Sequence, residues 1–92
     1  MKENELVTVV SLAGEMVGKL VSMSEDSLIL ENPRMIANNP NTKEFGFMKG
    51  IAISGTAYPK EVKINQWLYM CEVDSRFIDA YNKVIAPGEE NE

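Results

Sequence analysis

Hydrophobic positions dominate residues 6–31, and two glycines and an acidic turn divide them into three short pieces, a pattern typical of successive strands. Val, Leu and Ile fill the stretch, and β-branched side chains fit a pleated, half-buried surface better than a helix. Gly14 lies at a first turn, an acidic turn follows at residues 24–26, and Gly18 indicates a bulge or bend inside a strand. The pattern therefore predicts three antiparallel strands, at residues 6–12, 15–23 and 27–31.

The second half of the chain is less regular. Residues 32–43, NPRMIANNPNTK, are rich in asparagine and contain two prolines, which predicts a long connection rather than a strand. A fourth strand is predicted at residues 45–53. The last strand region covers residues 61–64 and 67–73, and it is either continuous or broken at residues 65–66.

The chain ends with a predicted short helix at about residues 75–85. Asp74 or Ser75 can cap it, and Pro87-Gly88 ends it. Its apolar face is expected to consist of Phe77, Ile78, Tyr81, Val84 and Ile85. We therefore expect one domain over residues 1–92, with a barrel at about 6–73, this helix, and a disordered acidic tail at 88–92.

Composition excludes several classes of protein. One cysteine and no histidine among 92 residues leave no internal disulfide and argue against a zinc site or any other metal site. Without histidine the commonest general base is missing, so we expect no enzyme and no cofactor. No apolar run is long enough for a bilayer and no secretory signal is recognisable, so a soluble, cytoplasmic protein without membrane contact is expected.

The segment WLYMCEV, residues 67–73, is apolar on both sides of the predicted strand. Such a strand is covered on both faces. Small domains are marginally stable, so a neighbouring subunit of a homo-oligomer can supply the second cover. The C-terminal helix can also supply it within one chain, and the sequence does not decide between them.

The formal net charge of −5 is concentrated in the two acidic tails. Residues 34–63 contain five basic side chains but only two acidic ones, Glu44 and Glu61. This local excess of positive charge is compatible with phosphate contacts or with a mixed, solvated surface. These basic residues are Arg34, Lys43, Lys49, Lys60 and Lys63.

The opening stretch resembles the first motif of the Sm and Sm-like proteins. The resemblance lies in Val-x-Val, a turn glycine, Gly18-Lys-Leu-Val-Ser22, an acidic turn and Leu28-x-Leu30. With ENPRMI and the short helix, the chain is most similar to small Sm-like proteins encoded by phages of marine cyanobacteria. The resemblance implies a mainly-β fold, a strongly bent five-stranded antiparallel barrel of the small SH3-like kind. It also implies a ring of five to seven subunits, joined edge to edge through the fourth and fifth strands.

Members of this family commonly bind RNA and hold uridines at a pocket that two loops form. In the first loop the corresponding residues here are Met23, Ser24 and Ser27, and methionine lacks the flat π-face of the usual aromatic residue. Two segments can correspond to the second loop. Residues 49–50 match its residue types, whereas residues 63–65 match its position before the last strand, and we prefer the latter. The RNA-binding residues implied by the resemblance and the charge pattern are Ser24, Ser27, Arg34, Lys63 and Asn65.

Two functions follow as hypotheses. The first is a non-catalytic Sm-like ring that binds single-stranded RNA, as a riboregulator or a ribonucleoprotein component encoded by a phage and acting in the host cytoplasm. The second is a ring-shaped scaffold that binds protein and no RNA, which the acidic tails favour.

Overall fold

The structure, a computed structural model, describes residues 3–48, 54–56 and 58–85. In these ranges it contains six strands and one helix. They are β1 (Leu6–Ser11), β2 (Gly14–Met23), β3 (Leu28–Asn39), β4 (Glu44–Phe47), β5 (Glu61–Ile64), β6 (Tyr69–Glu72) and α1 (Ser75–Ile85).

All the described strands belong to one open antiparallel sheet, in the order β4-β3-β2-β1-β6, with β5 paired to the first part of β3. The predicted mainly-β class with a C-terminal helix is confirmed. The last strand region is divided into β5 and β6, which agrees with one of the two alternatives given above. The sheet therefore has six strands instead of five. The remainder of the predicted fourth strand and the predicted tail, residues 49–53 and 88–92, lie outside the described residues.

The prediction of a long connection at residues 32–43 is wrong, because β3 continues through Asn39. Pro33 is accommodated at an irregularity in the pairing: Glu31 and Arg34 lie opposite Lys19 and Val17, so β3 has one extra residue there. Asn32 adopts a left-handed φ of 50°, and its N–H donates to the carbonyl of Lys60 at 2.7 Å. A bulge is where a strand tolerates a residue that lacks an N–H donor.

The connector, residues 65–68, shows that the sheet is strongly curved. It joins β5, which pairs with β3, to β6, which pairs with β1. In a flat sheet these strands would stand four spacings apart, about 19 Å, whereas five Cα–Cα steps reach only about 17 Å when fully extended. A second irregularity, between Leu20 and Ser22 in β2, adds to the bending.

One face of the sheet forms the hydrophobic core. Its fully packed residues come from the first three strands, and the later segments close over them. The buried side chains are Val7, Val9, Met16, Leu20, Leu28 and Leu30. Partly buried side chains pack against them: Met35, Val62, Ile64, Trp67 and Met70.

The helix α1 has the predicted bounds and packs on the opposite face. Asp74 caps it, because its Oδ1 accepts a hydrogen bond from the backbone N–H of Arg76 at 2.9 Å. Tyr81 is buried and makes an edge-to-face contact with Phe47, at 5.9 Å between ring centres. Val84, which was expected on the packed face, remains 37% exposed.

Along the part of the chain that the structure describes, no helix has both the length and the apolarity needed to cross a membrane.

Candidate functional site

A groove of about 620 Å³ opens where three connections of the sheet meet. The β1–β2 turn contributes residues 11–13, the β2–β3 turn contributes Glu25, and the connector contributes all four of its residues, 65–68. These connections are separated along the chain, and the curvature of the sheet brings them together.

Local hydrogen bonds hold two walls of the groove. The N–H of Leu68 donates to the carbonyl of Val10 at 2.7 Å, which ties the connector to β1. In the β1–β2 turn, the Ser11 hydroxyl accepts from the N–H of Ala13 at 3.2 Å and donates to the carbonyl of Gly14 at 3.1 Å. Hydrogen-bonded backbone therefore forms two of the three walls of the groove, those of the connector and of the β1–β2 turn.

The groove combines polar and apolar groups. Asn65 and Gln66 supply amide donors and acceptors, Glu25 supplies a carboxylate, and Trp67 supplies an indole. Leu12 and Leu68, at its rim, are 89% and 61% exposed. This set of groups can bind a flat, partly polar ligand.

Of the predicted site residues, Asn65 lies in the groove, whereas Ser24 and Ser27 flank its Glu25. The two serine hydroxyls are 3.3 Å apart, and the N–H of Ser24 donates to the carbonyl of Ser27 at 2.8 Å. Lys63 is exposed on β5, opposite Ile29, two residues before Asn65. The structure thus brings the first predicted loop and the 63–65 segment to one end of the sheet. The alternative, residues 49–50, lies outside the described part.

Arg34 does not fit the predicted role as a phosphate contact, because its side chain is only 1% exposed. Its Nη1 donates to the carbonyl of Pro33 at 2.8 Å, and its guanidinium lies 4.8 Å from the centre of the Tyr58 ring. Burial lowers the pKa of Arg34, and the nearby Tyr81 and Tyr58 partly oppose that shift. Arg34 is therefore an interior residue near α1 rather than a surface cation.

Tyr81 anchors the helix to the same region. Its hydroxyl donates to the carbonyl of Asn32, the bulge residue, at 2.8 Å. Burial raises the pKa of Tyr81 to about 12; the charge of Glu31 acts in the same direction and that of Arg34 in the opposite one. The helix is therefore fixed at the point where β3 is irregular.

The helix does not cover β6, so one of the two alternatives for the WLYMCEV segment is excluded for the described residues. The aromatic contacts of α1 are made by Phe77 with Phe45 and by Tyr81 with Phe47, both on β4. Tyr69 remains 60% exposed on β6, at the end of the sheet.

Sequence reasoning missed Glu25, Gln66 and Trp67 as groove residues. The sequence places Glu25 in an acidic turn and Trp67 in a strand region. The signal that could have found them is the amide pair Asn65-Gln66 directly before the one tryptophan of the chain, at a predicted break. In the described residues, no group of three His, Cys, Asp or Glu side chains is placed to hold a metal ion.

Comparisons of the chain with models of known protein families, with curated proteins and with solved structures found no match. The resemblance to Sm-like proteins therefore depends on the motif residues given above.

Proposed function

We propose that this chain is a non-catalytic subunit of an Sm-like homo-oligomeric ring, and that its groove binds single-stranded RNA. The groove is the observation that carries the proposal. In the family that the sequence resembles, the base pocket is formed by the loop after the second strand and the loop before the last strand. Here Glu25 of the β2–β3 turn and Asn65 of the connector line one cavity.

The sheet topology supports an Sm-like barrel as the finer description of the fold. Both β4 and β5 pair with the same edge of β3, one with its end and one with its beginning. In this proposal they are two parts of a single barrel strand. The short connector then leads to the last strand, as in a five-stranded barrel.

The two ends of the sheet support assembly into a ring. The strands β4 and β6 end the sheet order, and each presents a large apolar side chain, Phe45 at 63% exposure and Tyr69. Exposed apolar edge strands are normally covered. Pairing of β4 in one subunit with β6 in the next is a head-to-tail contact, and such contacts form a ring when the rotation between neighbouring subunits closes.

RNA would lie across the groove and the outer face of β5. Asn65 and Trp67 are suited to bind a base by hydrogen bonding and stacking. Lys63, exposed on β5 close to the connector, and Lys60, exposed at the other end of β5, are suited to contact phosphate. The resemblance to phage-encoded Sm-like proteins, rather than this arrangement, suggests the biological role, a riboregulator or a ribonucleoprotein component.

A protein-binding scaffold is the second candidate. The two exposed leucines at the groove rim, Leu12 and Leu68, and the net charge of −5 favour it. Exposed apolar groups beside a groove are typical of protein-binding surfaces.

Light scattering separates these functions. We expect the protein alone to have the mass of a closed oligomer, to take up a short single-stranded RNA of mixed sequence at low salt, and to release it as salt rises. Tyr69→Lys should lower the mass, whereas Leu12→Lys, which adds the same charge away from the sheet edges, should not. An oligomer that ignores RNA would support the scaffold, and a monomer would contradict the ring.

The salt dependence tests the phosphate contact. Lys63→Gln should remove about one phosphate contact. The slope of log affinity against log salt concentration should therefore become shallower by about 0.7, the value for one contact to a single strand. Lys83→Gln, an exposed lysine on α1, makes the same charge change and should leave the slope unchanged.

A further inference from the structure

The groove contains one feature that does not suit uridine, the base implied by the resemblance. Among the described residues that line it, Glu25 alone is charged. An ionised carboxylate only accepts hydrogen bonds, and it offers two oxygens side by side. A base that binds this carboxylate through both oxygens must present two adjacent donors.

We infer that the groove selects guanine and that Glu25 is the residue that reads it. This inference depends on the proposed function, because it names the base that the RNA-binding groove accepts.

The donor and acceptor patterns of the four bases carry the inference. Unpaired bases are read on their Watson–Crick edges. Guanine presents N1–H and the N2 amino group next to each other, and both can donate to one carboxylate. Uracil has a single N3–H between two carbonyls, and cytosine and adenine each place an amino group beside a ring nitrogen that accepts. Each of these three bases would therefore place one of its own acceptors next to a carboxylate oxygen of Glu25, which cannot donate.

The other groups of the groove are compatible with guanine. Its O6 is an acceptor, and the side-chain amides of Asn65 and Gln66 are the donors available in the groove. Trp67 offers the largest aromatic surface for stacking. The groove volume of about 620 Å³ lies in the usual range for small-ligand sites, roughly 300–1,000 Å³.

The tryptophan also supplies the measurement, because Trp67 is the one tryptophan of the chain. The full-length protein is titrated at low salt with the pentamers UUGUU, UUUUU, UUAUU and UUCUU, and Trp67 fluorescence is followed. We expect UUGUU to bind about tenfold more tightly than UUUUU, as a bidentate contact predicts. The adenine and cytosine pentamers should bind no more tightly than UUUUU.

A matched pair of variants isolates the carboxylate. Glu25→Gln keeps one acceptor and replaces the other by a donor, so the preference for UUGUU should disappear. Asp26→Asn makes the same charge change in the same exposed turn but at a residue that does not line the groove, so the preference should remain. Circular dichroism of both variants establishes that they are folded.

The possible failures are distinguishable. Equal binding of all four pentamers, or tighter binding of UUUUU, would overturn guanine selection and leave RNA binding in place. Loss of the preference in Asp26→Asn as well as in Glu25→Gln would overturn the role of Glu25. If none of the pentamers binds, the proposed RNA-binding function fails together with the inference.

Discussion

The two faces of the sheet are held together in different ways. The core face is aliphatic and closes by the burial of side chains such as Val7, Val9 and Leu30. The face beneath α1 instead buries Arg34 and Tyr81, which make directional contacts with Pro33, Tyr58 and the bulge carbonyl of Asn32. The first face is formed by aliphatic side chains without polar partners, whereas the second depends on particular polar partners. Substitutions on the two faces should therefore have different signatures.

The largest effect is expected on the core face. Leu30→Ala removes a fully buried side chain and leaves a cavity, so the free energy of unfolding should fall by about 3 kcal/mol. Urea denaturation followed by circular dichroism measures this change. Leu12→Ala is the control, because that leucine is exposed and its loss should change the free energy by less than about 0.5 kcal/mol. Equal effects at the two positions would contradict a close-packed core face.

On the helix-covered face, Tyr81→Phe keeps the ring contacts and removes one hydroxyl. The carbonyl of Asn32 loses its donor, so the free energy of unfolding should fall by about 1–2 kcal/mol. Denaturation in urea at neutral pH gives the value. An unchanged stability would show that the hydroxyl does not hold the helix.

The same residue predicts a pH dependence that the core face lacks. The pKa of Tyr81 is raised to about 12 from its ordinary value of 10.0. Its contribution to stability is therefore complete below pH 10 and is lost as pH rises towards 12, because the unfolded state loses the proton first. The stability of the wild type should fall more steeply across this range than that of Tyr81→Phe. Parallel curves would contradict the raised pKa.

Loss of the cap of α1 should reduce stability by less than the substitutions above, and it concerns the helix-covered face of the sheet. Asp74→Ala removes the acceptor for the N–H of Arg76 and should lower the free energy of unfolding by about 1 kcal/mol. Thermal melts followed by the helical circular dichroism signal measure it. Asp79→Ala, an exposed aspartate within α1, should have a smaller effect, and the reverse order would contradict the cap.

The smallest expected effect is a stabilisation. Glu31 and Glu61 lie directly opposite each other on β3 and β5, and like charges in this arrangement repel. Glu61→Gln should raise the free energy of unfolding by a few tenths of a kcal/mol, and by less at high salt. Glu72→Gln, on β6 opposite Val7, removes the same charge without a facing carboxylate and serves as the control. An equal gain in both variants would indicate a general charge effect.

The sequence predicted the parts of the fold whose signal is local. The first two strands and α1 were placed within a residue or two, because apolar β-branched runs, turn residues and a capping aspartate lie within their own segments. The continuation of β3 could not be predicted, because Pro33 is tolerated only through a bulge that pairing with β2 and β5 creates. The burial of Arg34 depends on the same bulge. Asn65 was identified through its position before the last strand, whereas its proximity to Glu25 results from the curvature of the whole sheet.

The pairing of β1 with β6 also has a consequence for the order of folding. Val7 and Glu72 are partners, so one edge of β1 is completed by a strand that leaves the ribosome much later. Contacts between distant parts of the sequence form slowly, because a long loop must close first. We expect an early species in which the first three strands have met and the edge of β1 is still open. The groove would then be the last feature to form, since its connector is fixed only when β6 docks on β1.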